Sequence, residues 1–398
     1  MPELSRLSDL KSDLLQLYFN LRGWKTSRKL LVIESDDWGA IRMPNIAVYE
    51  ALLSAGIRVD RSPYDKIDCL ESREDFELLM DVLASYKDSL GENPIMTFNT
   101  VMGNPDFERI KKDDFSVFHH EHFFDSYKKY RGNDLEPCWQ SAIDSSLIFP
   151  QFHGREHLNS QLWLHDLRAG QPETTLAFEH GFFGLPTRTS SVFQSHYCAA
   201  FSAESNSQLE SMKEILADGM EQFENTFGFR SRTFVACNYV LPEEIEEHMA
   251  SLGVEAVQTQ RGYMRPLPSR GGKRKKVFRY TGQKNRFGQH FTVRNVLFEP
   301  YIDADQDWIA IALNQIETAF RFNRPAIICS HRINYVGSNG KNTRDRALGQ
   351  LSKLLAEITK RWPEVEFCSS DRLLDIMTRS SDSNILPDGN GKVDQRVV

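Results

Sequence analysis

Two adjacent carboxylates, Asp36 and Asp37, follow an apolar run over residues 30–33. Such a run predicts a buried strand, and a parallel strand that ends on two acids delivers both to the rim of a sheet or barrel. At that rim, one carboxylate can bind a metal ion while its neighbour accepts a proton. The pair is therefore the first candidate for a catalytic site.

Two histidines, His153 and His157, follow a second apolar run over residues 147–152. If a helical turn begins at His153, both imidazoles lie on one face and can bind the same metal ion. The alternative is one packed and one surface histidine. The position after a strand favours the metal, because it places the histidines at the same rim as the two acids. Two histidines and one carboxylate form a mononuclear hydrolytic metal site.

A third apolar run, residues 325–330, ends at His331. A histidine at the same rim can donate a proton to a leaving amine when a carbon–nitrogen bond breaks. The alternative is a structural histidine in the core.

The elements that must position these residues are short apolar runs that alternate with helical segments. Alternating strands and helices predict a parallel sheet with helices outside it, and seven or eight such units predict a closed barrel. The predicted strands cover residues 29–35, 95–101, 147–152, 174–178, 233–237, 254–259, 326–330 and 365–368.

The predicted organisation is one elaborated barrel domain over residues 29–378. Long stretches at about 103–146 and 261–300 do not fit a minimal barrel, and the second reads as a β-hairpin insertion. Residues 1–28 carry an amphipathic helical pattern, and the polar tail 379–398 is predicted to be disordered.

Composition excludes several classes of function. The net charge of −7 and a pI near 5.9 argue against a nucleic-acid partner, which needs a broad basic face. The basic run 273–276 reads as a solvated hairpin tip, with contact to a phosphate or an anionic lipid head group as the alternative. No apolar stretch is long enough for a transmembrane segment, and six cysteines without CxxC spacing suit a reducing compartment. These features predict a cytoplasmic protein.

The order of these motifs resembles the polysaccharide deacetylases, the NodB-homology or carbohydrate esterase 4 family. Asp36-Asp37 looks like the first motif of that family, His153 to His157 like the second, and Cys329-Ser330-His331 like the fifth. The segment Asp305-Gln306-Asp307-Trp308 looks like the fourth. The resemblance covers about residues 29–335 and implies an α/β fold, a distorted (β/α)7 TIM-like barrel with loop and hairpin insertions.

The resemblance also implies roles for the residues. Asp36 would be the general base and His331 the general acid, with Asp305 or Asp307 orienting that histidine. A divalent cation, with Zn²⁺ as the first choice, would be bound by three ligands. Those ligands would be Asp37, His153 and His157.

The chain departs from the family pattern at three places. Glu34-Ser35 replaces Thr-Phe in the first motif, and Gly154 stands where the second motif carries Ser or Thr. The third motif has an Arg-Pro pair at a strand end that braces the catalytic Asp, whereas this chain has Asn238 there and arginines only at the start of that strand. The brace is therefore missing, replaced or supplied from elsewhere.

Residues at the predicted strand ends are also candidates for substrate contact. Aromatic side chains there can stack on sugar rings, although loop aromatics also pack on the core. The candidates are Trp38, Glu179, His180, Asn238 and Tyr239.

The function predicted from the sequence is a metal-dependent hydrolase that removes an acetyl group from an N-acetylated sugar or glycan intermediate. Without a secretory signal, a nucleotide- or lipid-linked sugar is the preferred carbohydrate substrate. One alternative is hydrolysis of another carbon–nitrogen or ester bond at the same metal site. The other is a catalytically inactive relative that binds a glycan or a protein.

Overall fold

The computed structural model describes residues 21–186, 196–271 and 273–382. Its strands and helices alternate as the sequence pattern predicts. The strands are β1 (Lys29–Trp38), β2 (Met96–Val101), β3 (Gly103–Pro105), β4 (His120–His122), β5 (Ile148–Gly154), β6 (Thr233–Val235), β7 (Ala256–Gln260), β8 (Gly262–Leu267), β9 (Lys273–Phe278), β10 (His290–Arg294), β11 (Val296–Leu297), β12 (Ala326–His331) and β13 (Val365–Phe367).

Helices surround these strands. They are α1 (Ile46–Ser54), α2 (Pro63–Lys66), α3 (Arg73–Ala84), α4 (Phe107–Lys112), α5 (Phe123–Arg131), α6 (Glu136–Asp144), α7 (Ser160–Arg168), α8 (Pro172–Glu179), α9 (Asn206–Phe227), α10 (Glu243–Ser251), α11 (Trp308–Arg321), α12 (Lys341–Arg361) and α13 (Ser370–Asp382).

Eight parallel strands form a nearly closed barrel in the order β10-β7-β6-β5-β2-β1-β12-β11. Only Asn295 separates β10 from β11; β10 pairs with β7, and β11 pairs with β12. The Asn295 side chain accepts a hydrogen bond from the backbone of Ile327 at 2.8 Å. The two short strands therefore share one position in the ring, which gives the seven-position TIM-like barrel predicted from the sequence. Strand β13 pairs with the start of β1.

The barrel strands are buried because helices cover them on the outside. In β1, every residue after Lys29 is buried. Helix α3 begins with a capping box in which Ser72 and Asp75 satisfy each other's backbone N–H groups. Its apolar face contributes Phe76, whose ring packs in the core against the ring of Phe98, a β2 residue, in an edge-to-face contact.

Two expectations are corrected by the fold. Residues 174–178 belong to helix α8 and not to a strand, because Pro172 sits in the first turn, where its fixed φ favours a helix. The insertion predicted over 261–300 is smaller than expected, since only β8 and β9 form the hairpin and β10 and β11 belong to the barrel.

The predicted N-terminal helix lies mostly in residues 1–20, outside the described residues. Helix α13 extends to Asp382, and the rest of the predicted disordered tail also lies outside them. The insertion at 103–146 holds the small β3–β4 sheet and helices α4 to α6. No helix within 21–186, 196–271 and 273–382 has the length and apolar character needed to cross a bilayer.

Candidate active site

A bulge at the end of β1 brings both acids to one cavity. Neighbouring side chains of a regular strand point to opposite faces. Here the pairing of β1 with β2 shifts between Ser35 and Trp38, and Asp37 has a φ of 75°, in the left-handed region. Asp36 and Asp37 consequently line the same cavity, which has a volume of about 390 Å³.

The structure brings Asp37 together with His153 and His157. Asp37 Oδ1 lies 3.4 Å from Nε2 of His153 and 3.1 Å from Nε2 of His157, and all three side chains are buried. His153 lies in β5, so the two histidines do not share the helical turn that the sequence suggested. Gly154 has a φ of 141°, which a side chain rarely adopts, and this bend turns the chain so that His157 comes back to the cavity. The glycine that departs from the family pattern is therefore required by the backbone.

The hydrogen bonds of His153 fit a metal ligand. Its Nδ1 donates to the carbonyl oxygen of Val235 at 2.8 Å, so the neutral form of His153 would present the Nε2 lone pair to Asp37 Oδ1. Two facing acceptors need a cation or a proton between them. Ligand atoms of a tetrahedral zinc ion stand about 3.3 Å apart. The observed separations of 3.4 and 3.1 Å match that spacing. The three side chains therefore fit a divalent cation such as Zn²⁺.

A thiol also stands near this group. Cys237 Sγ and nitrogen atoms of His153 and His157 all lie within 4.8 Å of one another. Burial raises the pKa of the Cys237 thiol well above its usual range, and the thiol donates to the His153 carbonyl oxygen at 3.4 Å. A neutral thiol is a poor metal ligand, so Asp37 is the better third ligand.

The charge of Asp37 is held in place by a buried arginine. Arg42 lies 3.4 Å from Asp37 Oδ2 and 3.5 Å from Asp68 Oδ2. Burial raises the pKa of Asp37, but Arg42 and the two neighbouring histidines lower it more, so that the net pKa lies well below the usual range. Asp37 is thus ionised at neutral pH.

Asp36 is braced by an arginine that the sequence analysis did not identify. Arg294 of β10 donates to both carboxylate oxygens of Asp36, at 2.6 and 2.7 Å, and to Glu34 at 2.6 Å. Asn99 of β2 adds a bond of 2.7 Å. Burial raises the pKa of Asp36, but Arg294 lowers it by more, so that the net pKa is about 2. The brace that the third-motif segment lacks is thus an arginine of another strand, β10.

The arginines of the third-motif segment lie away from the cavity. Arg230 pairs with Glu224, and Arg232 pairs with Glu255 and with Asp375. Both arginines precede β6 and bind carboxylates at its amino-terminal end, whereas the cavity lies at its carboxyl-terminal end.

His331, at the end of β12, is oriented by Glu299. Its Nδ1 lies 2.5 Å from Glu299 Oε1, and its Nε2 lies 3.7 Å from Asp36 Oδ2. Asn334 holds the other oxygen of Glu299 at 2.7 Å. Burial lowers the pKa of His331, but Glu299 and Asp36 raise it more, so that the net pKa lies well above the usual range. His331 is therefore protonated at neutral pH.

The expectation that Asp305 or Asp307 orients His331 is corrected. Asp307 is the N-cap of α11, where its side chain accepts from the backbone N–H of Ala310 at 2.9 Å. Asp305 is exposed, and its backbone N–H bonds to Asp303. The carboxylate beside His331 is Glu299, which follows β11.

The five candidates for substrate contact have different positions. Asn238 and Tyr239 line the cavity, and the Tyr239 hydroxyl accepts from Arg294 at 2.7 Å. Trp38 is buried and stacks on a core phenylalanine with the ring centroids 3.7 Å apart, so it is a core residue. Glu179 pairs with a lysine at 2.6 Å, and His180 follows it at the end of α8, outside the residues that line the cavity.

One wall of the cavity was not anticipated from the sequence. Tyr64, Asp65 and His196 line it together with Arg42, whose guanidinium lies 5.6 Å from the Tyr64 ring centroid. Burial raises the pKa of Asp65 to about 6 and lowers that of His196 to about 4. These residues follow no predicted strand, so an argument from strand ends could not find them.

No family model matches the chain, and no curated protein sequence matches it. Among solved structures, a protein from Mycobacterium smegmatis assigned as a polysaccharide deacetylase is 11% identical, with a TM-score of 0.45 over 94% of this chain and 98% of that one. One from Parabacteroides distasonis, assigned as a glycoside hydrolase/deacetylase, is 10% identical, with a TM-score of 0.48 over 89% and 72%. PuuE allantoinase is 8% identical, with a TM-score of 0.44 over 91% and 93%. Similarities of this size assign no activity to this chain.

Proposed function

We propose that this protein is a metal-dependent hydrolase that removes the acetyl group from an N-acetylated sugar. The observation that supports the proposal is the convergence of three ligand-type side chains, a braced carboxylate and a protonated histidine on one cavity. The strongly opposed pKa shifts of Asp36 and His331, whose atoms are 3.7 Å apart, fit a base and an acid that act on one substrate.

The cation would be held by Asp37, His153 and His157. A bound divalent cation supplies Lewis-acid activation of water and of a carbonyl oxygen. The chain's own part is to keep two of these ligands in the state that binds metal. Val235 fixes the tautomer of His153, and Arg42 keeps Asp37 ionised.

Proton transfer is assigned to Asp36 and His331. The ionised carboxylate of Asp36 accepts a proton from the attacking water, whose oxygen forms the new bond to the acetyl carbon. When the carbon–nitrogen bond breaks, the Nε2 proton of His331 passes to the departing nitrogen, since its Nδ1 is engaged by Glu299. The products are acetate and the free amine.

The low pKa of Asp36 has a consequence for this role. A carboxylate with a pKa of about 2 is a weak base, so it needs a water whose own pKa is already depressed. The bidentate contact with Arg294 therefore fits a site that relies on a cation, and it fits poorly with a site that hydrolyses amides without one.

The proposed substrate is an N-acetylated sugar unit that enters the cavity of about 390 Å³. Asn238 and Tyr239 stand on the wall of the cavity beside the acid and the base, where they can contact the sugar. The cytoplasmic location predicted from the sequence makes a nucleotide- or lipid-linked sugar the preferred form.

The test combines metal analysis of the purified protein with acetate release from a panel of N-acetylated sugars. We expect one bound divalent cation per chain and acetate release that Asp36→Asn and His331→Gln abolish. If the protein binds a cation and hydrolyses another amide or an ester but releases no acetate, the proposed N-acetylated substrate is wrong and the other compound takes its place. Absence of a bound cation after supplementation with Zn²⁺, Co²⁺ or Mn²⁺, together with glycan binding, would favour a non-catalytic binding protein.

A further inference from the structure

A two-stranded ribbon, β8–β9, carries the strongest local charge of the sequence. Strand β9 contains Lys273, Arg274, Lys275 and Lys276, the longest run of basic residues in the chain. The three lysines are exposed. Because the whole chain has a net charge of −7, this ribbon presents a positive field on an acidic protein.

The outer face of the ribbon also exposes apolar side chains. Met264 is 42% exposed and Phe278 is 44% exposed. Met264 pairs with Lys276 across the ribbon, and the next pair on that face joins Gly262 to Phe278. The Lys276 ammonium lies 5.2 Å from the centroid of the Phe278 ring. Lys276 and Arg274 therefore share the outer face with Met264 and Phe278, whereas Lys273 and Lys275 are exposed but lie in the register of the other face.

The inner face of the ribbon is fixed to the barrel. The Tyr263 hydroxyl donates to Glu246 of α10 at 3.0 Å, and the Arg265 guanidinium pairs with the same carboxylate. All three of these side chains are buried. The outer face is consequently displayed at a fixed orientation to the rest of the molecule.

The base of the ribbon forms a wall of a second cavity, of about 440 Å³. Residues 260–262 line this cavity together with Tyr239 and His331, which also line the first. Its lining includes two exposed apolar residues, Leu297 and Ile302, at 37% and 52% exposure. The Phe278 ring covers Gly262, since a Cβ there would come within 3.0 Å of it. The charged ribbon and the candidate acid thus border the same cavity.

We propose that the outer face of the β8–β9 ribbon docks on an anionic lipid bilayer. Basic side chains that reach head-group phosphates, beside a phenylalanine and a methionine that enter the acyl boundary, are the combination that binds such an interface. Lys273 and Lys275 are exposed on the same strand, close enough to the outer face to add to its attraction for anionic head groups. A nucleic acid needs a broad basic face and gains little from exposed Met264 and Phe278. The exposed Leu297 and Ile302 extend the apolar surface to the cavity mouth.

Docking in this orientation would hold the second cavity at the lipid surface. A sugar carried on a lipid would reach His331 through that cavity. This last step rests on the proposed function, whereas binding to the bilayer does not, so the two can fail separately.

The test is co-sedimentation of the full chain with vesicles of phosphatidylcholine, with and without added phosphatidylglycerol. We expect binding to the anionic vesicles, weakened by salt, and little binding to the neutral ones. Changing Lys273, Lys275 and Lys276 to Gln should weaken binding about a hundredfold, since each lysine near an anionic surface contributes roughly one factor of five. Met264→Ser with Phe278→Ser should weaken the part of the binding that survives high salt.

The matched control is a triple change to Gln at Lys341, Lys353 and Lys360, all exposed on α12. It removes the same charge and should leave vesicle binding unchanged. Equal loss in both triple variants, equal binding to neutral vesicles, or no binding at all would overturn the proposal. Binding of a homopolymeric RNA in preference to anionic vesicles would overturn it in favour of a nucleic-acid surface. Unchanged melting temperatures show that the variants remain folded.

Discussion

Replacing Glu299 by Gln tests whether this carboxylate sets the protonation of the candidate acid. Glu299 lies 2.5 Å from His331 Nδ1, and its charge is what most raises the pKa of a histidine that burial alone would lower. Glutamine keeps the size of the side chain and can still accept one hydrogen bond from Asn334. The substitution therefore removes mainly the charge.

The magnitude follows from the separation of the two groups. An opposite charge at this range raises a histidine pKa by about 1–3 units. In the proposed mechanism, protonated His331 is the active form, populated below its pKa and lost as pH rises through it. The alkaline limb of the kcat profile should consequently move to lower pH by about 1–3 units in Glu299→Gln. At a pH above the alkaline limbs of both proteins, kcat of the variant should be about tenfold lower than that of wild type for each unit by which the pKa falls.

The assay is acetate release at saturating substrate, measured as kcat against pH for wild type and variant. Asp305→Asn and Asp307→Asn are the matched controls, because they remove the same charge from the carboxylates that the sequence had placed beside His331. Both should keep the wild-type alkaline limb. The reasoning is refuted if Glu299→Gln leaves the limb in place at full metal occupancy, or if Asp305→Asn moves it instead.

Three further outcomes are expected. The double change His153→Ala, His157→Ala should abolish stoichiometric metal binding by elemental analysis, whereas Asp36→Asn should keep the metal; retained metal in the double variant would contradict the ligand assignment. Arg294→Met leaves buried carboxylates unpaired and should lower the free energy of unfolding by about 3–5 kcal/mol in denaturant titrations, and a loss under about 1 kcal/mol would contradict the brace. Trp38→Ala should cost about 3–5 kcal/mol by the same measurement, as a core residue does; full stability with weakened substrate binding would return it to the site.

The strand-end part of the site was predictable because strand ends carry a strong sequence signal. Runs of buried apolar residues ended on Asp36, His153 and His331, and parallel strands deliver their carboxyl ends to one rim. The barrel itself followed from the same alternation of strands and helices. The roles of these residues remain predictions.

Arg294 and Glu299 were missed because their strand looked like part of a hairpin. The run over residues 290–294 alternates polar and apolar positions, with Phe291 and Val293 in the core. That alternation was the available signal for a barrel strand. The pairing of Arg294 with Asp36 joins residues 258 positions apart, which no local pattern encodes.

The error at residues 174–178 has a local cause. A short stretch with two threonines and a phenylalanine suits a strand by composition, but Pro172 and Glu173 begin a helix. Glu179 and His180 then stand at a helix end, and the argument that placed them at the barrel rim no longer applies.

The bulge at the end of β1 has a mechanical consequence. Asp36, the candidate proton acceptor, and Asp37, a candidate cation ligand, are consecutive residues, so a movement of that strand end carries both together. His331, the candidate proton donor, belongs to β12, which pairs directly with β1 so that Asp36 and His331 are register partners. The gap between the candidate donor and acceptor is therefore set by the hydrogen bonds that join two neighbouring strands, and a change in that pairing would alter it without moving Asp36 relative to Asp37.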